Sequence, residues 1–588
     1  MEWFLMAFVF AILSVVPLLL KRAFILASIV GLSLFLFGGW LFYVATPHLM
    51  YPIFGLPGVL VFVVWIMTTI IAGATLFIEE ESRFFKCTLP FGVGAFVVLM
   101  TTWTMGSGVF RSDDYKNLIG VMEVREWTQD VQPADPNHIR LVTEEYALFL
   151  AEKQLAQVPG AIGSQFDIDR NRIVLQRING EFWYVIPLDF KSWKVWTSVD
   201  GVPAYIKVNG TDPSATPVVV NDLHFRYTPN AYFGHNLERH LRSDGYFFKG
   251  LAEYMLEVDD DGRAWWVVPV FETTIGWSGK VMTGIIQVDP ETGSHSFFSK
   301  DDIPIWIDRA IPKSFVTQYI SYWGDLKGGW WNSFWGGKDL VEPEYPSLVY
   351  GADGEPYFVT GITSTNDGDK SVVGFIYTNS RTGVSVQYHA VGGTDEAVLE
   401  AVNNKVNYRK WHGSSPTLYN LYGVMTSVVP ILGEAHTYQG VALVKMGTTL
   451  ETVVGEDLES ALREYQKLLA GSGNSVALEK AHGSSEITSE VLRVSSEVIQ
   501  GNTTYYLYLQ DQPTIFTGGA TELSSPSLTI TQVGDLVSIT YVPSAEDVEP
   551  MLKFTNHSID LAVSSQQIVV REAEDARRAV EHLKKDGK

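Results

Sequence analysis

The chain has 588 residues and a single cysteine, Cys87. One thiol excludes an intramolecular disulfide framework, so every domain must be held by its own apolar core. An exported protein without disulfides suits a bacterial or phage envelope better than a eukaryotic ectodomain. Catalytic signatures are also missing. There is no His-Glu-x-x-His, no Cys-x-x-Cys, no Gly-x-Ser-x-Gly and no phosphate-binding glycine loop. His412-Gly-Ser-Ser415 and His482-Gly-Ser-Ser485 offer nucleophiles by residue type only, with no base placed beside them. Basic charge is scarce as well: 43 Lys and Arg against 66 Asp and Glu give a net charge of −23. Such a chain repels nucleic acid, which excludes that class of partner.

What is present begins with four apolar runs, Trp3 to Leu20, Ala23 to Ala45, Leu56 to Ile78 and Thr88 to Phe110, none containing Asp, Glu, Lys or Arg. Runs of about 20 residues, rising about 1.5 Å each, match the roughly 30 Å core of a bilayer. The expectation is a transmembrane anchor of four helices. Lys21 and Arg22 separate runs one and two, Arg83 and Lys86 separate runs three and four, and the loop between runs two and three has no Lys or Arg. By the positive-inside rule these four residues determine the topology: both basic turns are cytoplasmic. An integral, multi-pass protein follows, with a large extracytoplasmic C-terminal body and both termini outside.

The body repeats itself. Gly284-Ile-Ile-Gln-Val-Asp-Pro-Glu-Thr-Gly293 aligns with Gly374-Phe-Ile-Tyr-Thr-Asn-Ser-Arg-Thr-Gly383. Each is preceded by an Asp-Gly turn and a strand, Asp261-Gly262 to Pro269 and Asp353-Gly354 to Thr360. A third copy runs from Gly423 to Gly447, and Asn179-Gly180 to Pro187 opens a further one. Helical spacing recurs beside them at Thr143 to Pro159, Ala231 to Leu241, Asp395 to Val406 and Leu458 to Leu469. The implied unit is an antiparallel sheet with one helix across it, used in tandem. After Ser485 short alternating strands, Thr503 to Leu509, Ser527 to Thr531 and Asp535 to Tyr541, predict a small β-barrel of OB or SH3 type.

The predicted order is a transmembrane anchor over 1–110 and a linker over 111–138. Four α+β repeat units follow over 139–221, 222–342, 343–412 and 413–484. The small barrel covers 485–565 and a charged helix 566–588. The fold class is thus a four-helix membrane anchor with an α+β ectodomain of tandem sheet-and-helix repeats and a small C-terminal barrel.

The helix Glu145 to Val158, with the turn Val288-Asp-Pro-Glu-Thr-Gly293, resembles PepSY-type domains. That resemblance implies a bacterial envelope setting and the regulation of a peptidase; it supplies no catalytic residue.

Two features are candidate sites. Trp323, Trp330, Trp331, Phe334 and Trp335 crowd a glycine-flanked loop between two units. Exposed, they would engage a glycan, a lipid surface or a protein; buried, they would plug a domain boundary. Asp259 and Asp261, in an acidic Asp-Gly turn, are weak candidates for a metal ion, without EF-hand spacing. No cofactor is expected. Asp308-Arg309, after Trp306, is expected as a buried ion pair at a repeat boundary. The reading is a membrane-anchored binding or scaffold protein without catalytic activity. Its partners are the bilayer and another protein or further copies of itself. The alternatives are a PepSY-like regulator of an envelope peptidase and a glycan- or cell-wall-active enzyme using the tryptophan loop.

Overall fold

The computed structural model describes residues 8, 11, 24–45, 100–101, 103–158, 162–276, 278–365, 370–447, 449–471, 485–499, 502–519, 523, 525–541, 543 and 547–559. Among these residues no helix is long and apolar enough to cross a membrane. This overturns the four-helix anchor, the integral multi-pass localisation, and the placement of body and termini that rested on it. Run two does contain a helix, Phe24–Ala45. Run three, run one apart from Phe8 and Ala11, and the first part of run four lie outside the described residues, as do Lys21, Arg22, Arg83 and Lys86.

The remaining architecture is mostly β-sheet, and one strand order recurs. A long strand carries two short strands end to end along one edge and a hairpin partner on the other, followed by a further strand. In the first sheet Phe166–Ile168 and Val174–Ile178 flank Glu181–Phe190, which pairs with Tyr205–Asn209 and then Val218–Val220. In the second, Gly250–Leu251 and Met255–Val258 flank Ala264–Ile275, followed by Ser278–Val288 and His295–Ser299. In the third, Val341–Pro343 and Ser347–Tyr350 flank Pro356–Ser364, followed by Ser371–Asn379 and Ser385–Gly393. The fourth repeats the order with His412–Gly413, Thr417–Leu421, Val424–Leu432, Tyr438–Lys445 and Glu451–Gly455.

A helix precedes each sheet: Glu144–Gln157, Leu237–Leu241, Lys313–Asp325 and Asp395–Val406. Their starts are set locally. Thr143, Asn236 and Thr394 each accept a backbone N–H of the first turn on a side-chain oxygen. Lys313–Asp325 is different: its N-cap is Pro312, which offers no side-chain acceptor.

The aligned turns have one geometry. Asp289 and Asn379 each accept two backbone N–H groups, from Glu291 and Thr292 and from Arg381 and Thr382. Gly293 and Gly383 then donate back to the carbonyls of Asp289 and Asn379, with φ of +75° and +77°. That left-handed conformation favours glycine. Gly284 and Gly374 both sit at register shifts. A Cβ there would lie 2.2 Å from the Phe298 carbonyl oxygen or 2.7 Å from that of Tyr388.

The chain forms two compact units. One comprises residues 1–418, 429–439 and 446–450; the other comprises 419–428, 440–445 and 451–588. In the first, polar contacts stitch the sheets across a continuous apolar core. The buried Gln176 amide donates to the carbonyls of Val258 (2.7 Å) and Trp306 (3.1 Å) and accepts the Val258 N–H. Asp308 accepts from the Arg177 N–H and the Tyr350 hydroxyl, both at 2.7 Å. The expected Asp308–Arg309 pair is therefore replaced: Arg309 reaches Glu253 instead, at 3.5 Å. The segment read as a linker adds an edge strand, Glu123–Arg125, parallel to Ser385–Gly393, and buries Trp127 against the Tyr377 hydroxyl.

In the second unit the expected barrel region is one six-stranded sheet. Its order is Val548–Pro550, Ile515–Gly519, Asn502–Leu509, Ser485–Ile499, Leu536–Tyr541 and Lys553–Asn556. The predicted strand at Ser527 to Thr531 is a short 3-10 helix, Pro526–Ile530, because Pro526 opens a tight turn. The predicted terminal helix lies outside the described residues.

Candidate functional site

A cleft of about 560 Å³ opens in the first unit. Its walls come from segments far apart in the chain: Arg140 and Glu144, Arg172 to Leu175, Glu253 to Met255, Arg309 to Thr317, Tyr345 to Leu348, and Asp395 with Ser415. Four cations and three carboxylates therefore face one space.

The cations are placed differently. Arg172 is tied to buried Asp169 and Arg140 donates to the Thr417 hydroxyl. Arg309 pairs loosely with Glu253, and its Nε is buried with no hydrogen-bond partner among the described residues. Lys313 has no carboxylate partner among the described residues; its ammonium lies 3.3 Å from the centroid of the Tyr345 ring. Burial, then the neighbouring Arg309 charge, lowers its pKa to about 7.

Lys313 is also the first residue of its helix. The positive end of the helix disfavours a second positive charge there. At the same uncapped end the backbone N–H groups of Lys313 and Ser314 have no hydrogen-bond partner among the described residues, the arrangement that receives anions. Opposite it, burial raises Asp395 to about 6, with Lys313 opposing the shift. Glu344, whose Oε1 accepts the Asp395 N–H at 2.8 Å, is raised to about 7 by burial and then by the Asp395 charge. Ser314 Oγ donates to Glu253 at 3.2 Å, which holds that carboxylate to one side. Glu344 and Asp395 lose charge as pH falls through about 7 and about 6. The balance of the cleft thus moves toward positive as pH falls.

None of these residues was singled out as a site from sequence. The only local signal was the helix itself: Phe315, Val316 and Ile320 at helical spacing, all buried.

The predicted aromatic residues are brought together, though not all in one environment. Trp330 stacks on Phe334 at 5.1 Å and 9°, and packs against Tyr115, Ile275 and Leu326. Trp331, Phe334 and Trp335 point outward, 65%, 60% and 75% exposed. Trp323 is half-buried and packs against the main core, with Lys327 Nζ 5.1 Å from its ring centroid. The loop is thus anchored by Trp330 and displays three rings.

Of the two predicted metal candidates, Asp259 is engaged in its own turn. Asp259 accepts the N–H groups of Asp261 and Arg263 and the Trp265 indole N–H. Its carboxylate closes the turn, and Asp261 is an exposed turn residue. Of the serine motifs, Ser414 donates to Glu145 at 3.3 Å; His482 lies outside the described residues.

No protein-family model and no curated protein matches the chain. Among solved structures it is similar to a protein of unknown function from Dyadobacter fermentans DSM 18053. The match has 9% identity and a TM-score of 0.16, covering 65% of this chain and 92% of that one.

Proposed function

We propose that this is a binding protein whose cleft captures an anionic group of a ligand or partner at the N-terminus of the helix Lys313–Asp325. The observation that carries this reading is Lys313: a half-buried ammonium without a carboxylate partner among the described residues, beside Arg309 and at an uncapped helix end. Carboxylate, sulfate and phosphate share the required chemistry, a compact negative charge with several acceptor oxygens. The three exposed rings of the tryptophan loop offer a second contact surface for a partner.

Titration with citrate and with sulfate at pH 6.5 tests the reading. Saturable binding by the intact chain is expected, with Lys313→Met weakening it about ten- to a hundredfold, the loss of one charge-assisted hydrogen bond of about 1.5–3 kcal/mol. Equal affinity in the variant would overturn it.

A further inference from the structure

Away from the cleft, His240, Asp244 and His295 stand together. One ligand-capable atom from each lies within 4.8 Å of the others. His240 and Asp244 are one helical turn apart, i and i+4; His295 comes from the start of the strand His295–Ser299. We propose that these three residues form a site for a divalent transition-metal ion of the zinc type.

Three observations support it. The first is the donor set. Two imidazoles and one carboxylate suit zinc, cobalt, nickel or iron; magnesium and calcium prefer oxygen alone. The second is the partner of His240. Its Nε2 lies 2.7 Å from the Gly293 carbonyl oxygen, which can only accept. Nε2 therefore carries the proton, and in the neutral ring Nδ1 is left with a lone pair. A ring nitrogen donating to a backbone carbonyl is the usual outer support of a metal-binding histidine. Gly293 is the positive-φ residue of the repeated turn, so the turn itself orients the ring.

The third is the surroundings. The Tyr227 ring lies 4.5 Å from His240 and the Tyr246 ring 5.6 Å from His295, giving the two imidazoles aromatic walls. Asp244 departs from helical geometry at φ −117°, ψ 46°, and is followed by Gly245 at φ +101°. His295 has 16% of its side chain exposed and Asp244 64%, so the trio opens to solvent on the carboxylate side.

The present spacing is wide for a bound ion. Ligand atoms about 2.1 Å from a tetrahedral ion sit roughly 3.4 Å apart. His295 Nδ1 and Asp244 Oδ2 are already at 3.7 Å. The exposed Asp244 is the group free to close the remainder. Three protein ligands leave a fourth position for water or a ligand atom.

The test is calorimetric titration of the full, chelator-stripped chain with Zn²⁺. Saturable binding is expected, weakened at least tenfold in both His240→Ala and His295→Gln, with Mg²⁺ giving no binding at that site. Alanine at position 240 also disturbs packing on Tyr227, so a second readout separates binding from folding. Zn²⁺ should raise the thermal transition of the intact chain and of the control His138→Ala/His224→Ala, and raise neither ligand variant's. Co²⁺ should give the absorption of a tetrahedral nitrogen- and oxygen-ligated ion in the intact chain and the control, and in neither ligand variant. Unchanged Zn²⁺ affinity in both ligand variants, or loss of binding in the control, would overturn the proposal.

Discussion

Glu257 lies mid-strand in Met255–Val258 and is fully buried. Its Oε2 accepts the Asp308 N–H at 3.1 Å, and its Oε1 has no partner among the described residues. Burial, reinforced by the Asp308 carboxylate, raises its pKa to about 8. The folded state therefore holds a proton that the unfolded chain releases near the ordinary value, about 4.3. Stability from this proton is fully present below that value and is lost as pH rises toward 8. The slope is about 1.4 kcal/mol per pH unit. Asp308 is raised only to about 6, so its own contribution falls mostly below that pH. Between pH 6 and pH 8, Glu257 alone should remove about 2.5 kcal/mol. Glu257→Gln keeps the acceptor for the Asp308 N–H and has no proton to lose. Relative to the variant, the wild-type protein should become less stable by about that amount over the window; titrating groups not coupled to Glu257 cancel in the comparison. Urea unfolding followed by tryptophan fluorescence is suited to this, because all 17 tryptophans lie at or before Trp411, in the first compact unit. A wild-type-to-variant difference equal at pH 6 and pH 8 would refute the reasoning.

Four further outcomes follow from local geometry and charge. Gly262→Ala should cost about 1–2 kcal/mol, because φ is +84° but nothing lies within 4 Å of the new Cβ. Gly293→Ala and Gly383→Ala should cost more by urea unfolding, because the Cβ would also meet Tyr227 or Ile311 at 2.6 Å. Trp331→Ser and Trp335→Ser should change stability by no more than about 0.5 kcal/mol, whereas Trp330→Ser, which removes the anchor of the loop, should cost well over 1 kcal/mol. Anion affinity should rise as pH falls from 8 to 6, because Lys313, with a pKa of about 7, gains its charge while Asp395, at about 6, begins to lose its own; flat affinity across that range would count against the cleft.

The repeat was legible because its turns are local. Asp-Pro-Glu-Thr-Gly and Asn-Ser-Arg-Thr-Gly place an acceptor side chain and a positive-φ glycine at fixed offsets, and each turn builds itself from those residues. The helix Lys313–Asp325 was passed over. Its large buried residues, Phe315, Val316 and Ile320, are aromatic or β-branched, and its N-cap lacks the Ser, Thr, Asp or Asn that marks the other helices. The cleft was illegible for a different reason. Arg140, Glu253, Lys313 and Asp395 are joined only by the packing of successive units, and nothing near any one of them signals the others. Charge-free apolar runs were read as spans from length and composition; among the described residues no helix meets that description.

The central claim is that an anion settles against Lys313. At pH 7.5 the free amine, with a pKa of about 7, is mostly neutral, and a bound anion would hold it protonated. Calorimetric titration with citrate in two buffers of different ionisation enthalpy measures that coupling. Binding accompanied by net proton uptake in the wild-type protein, and by none in Lys313→Met, is the predicted result. Binding without proton uptake, or the same uptake in the variant, would contradict it.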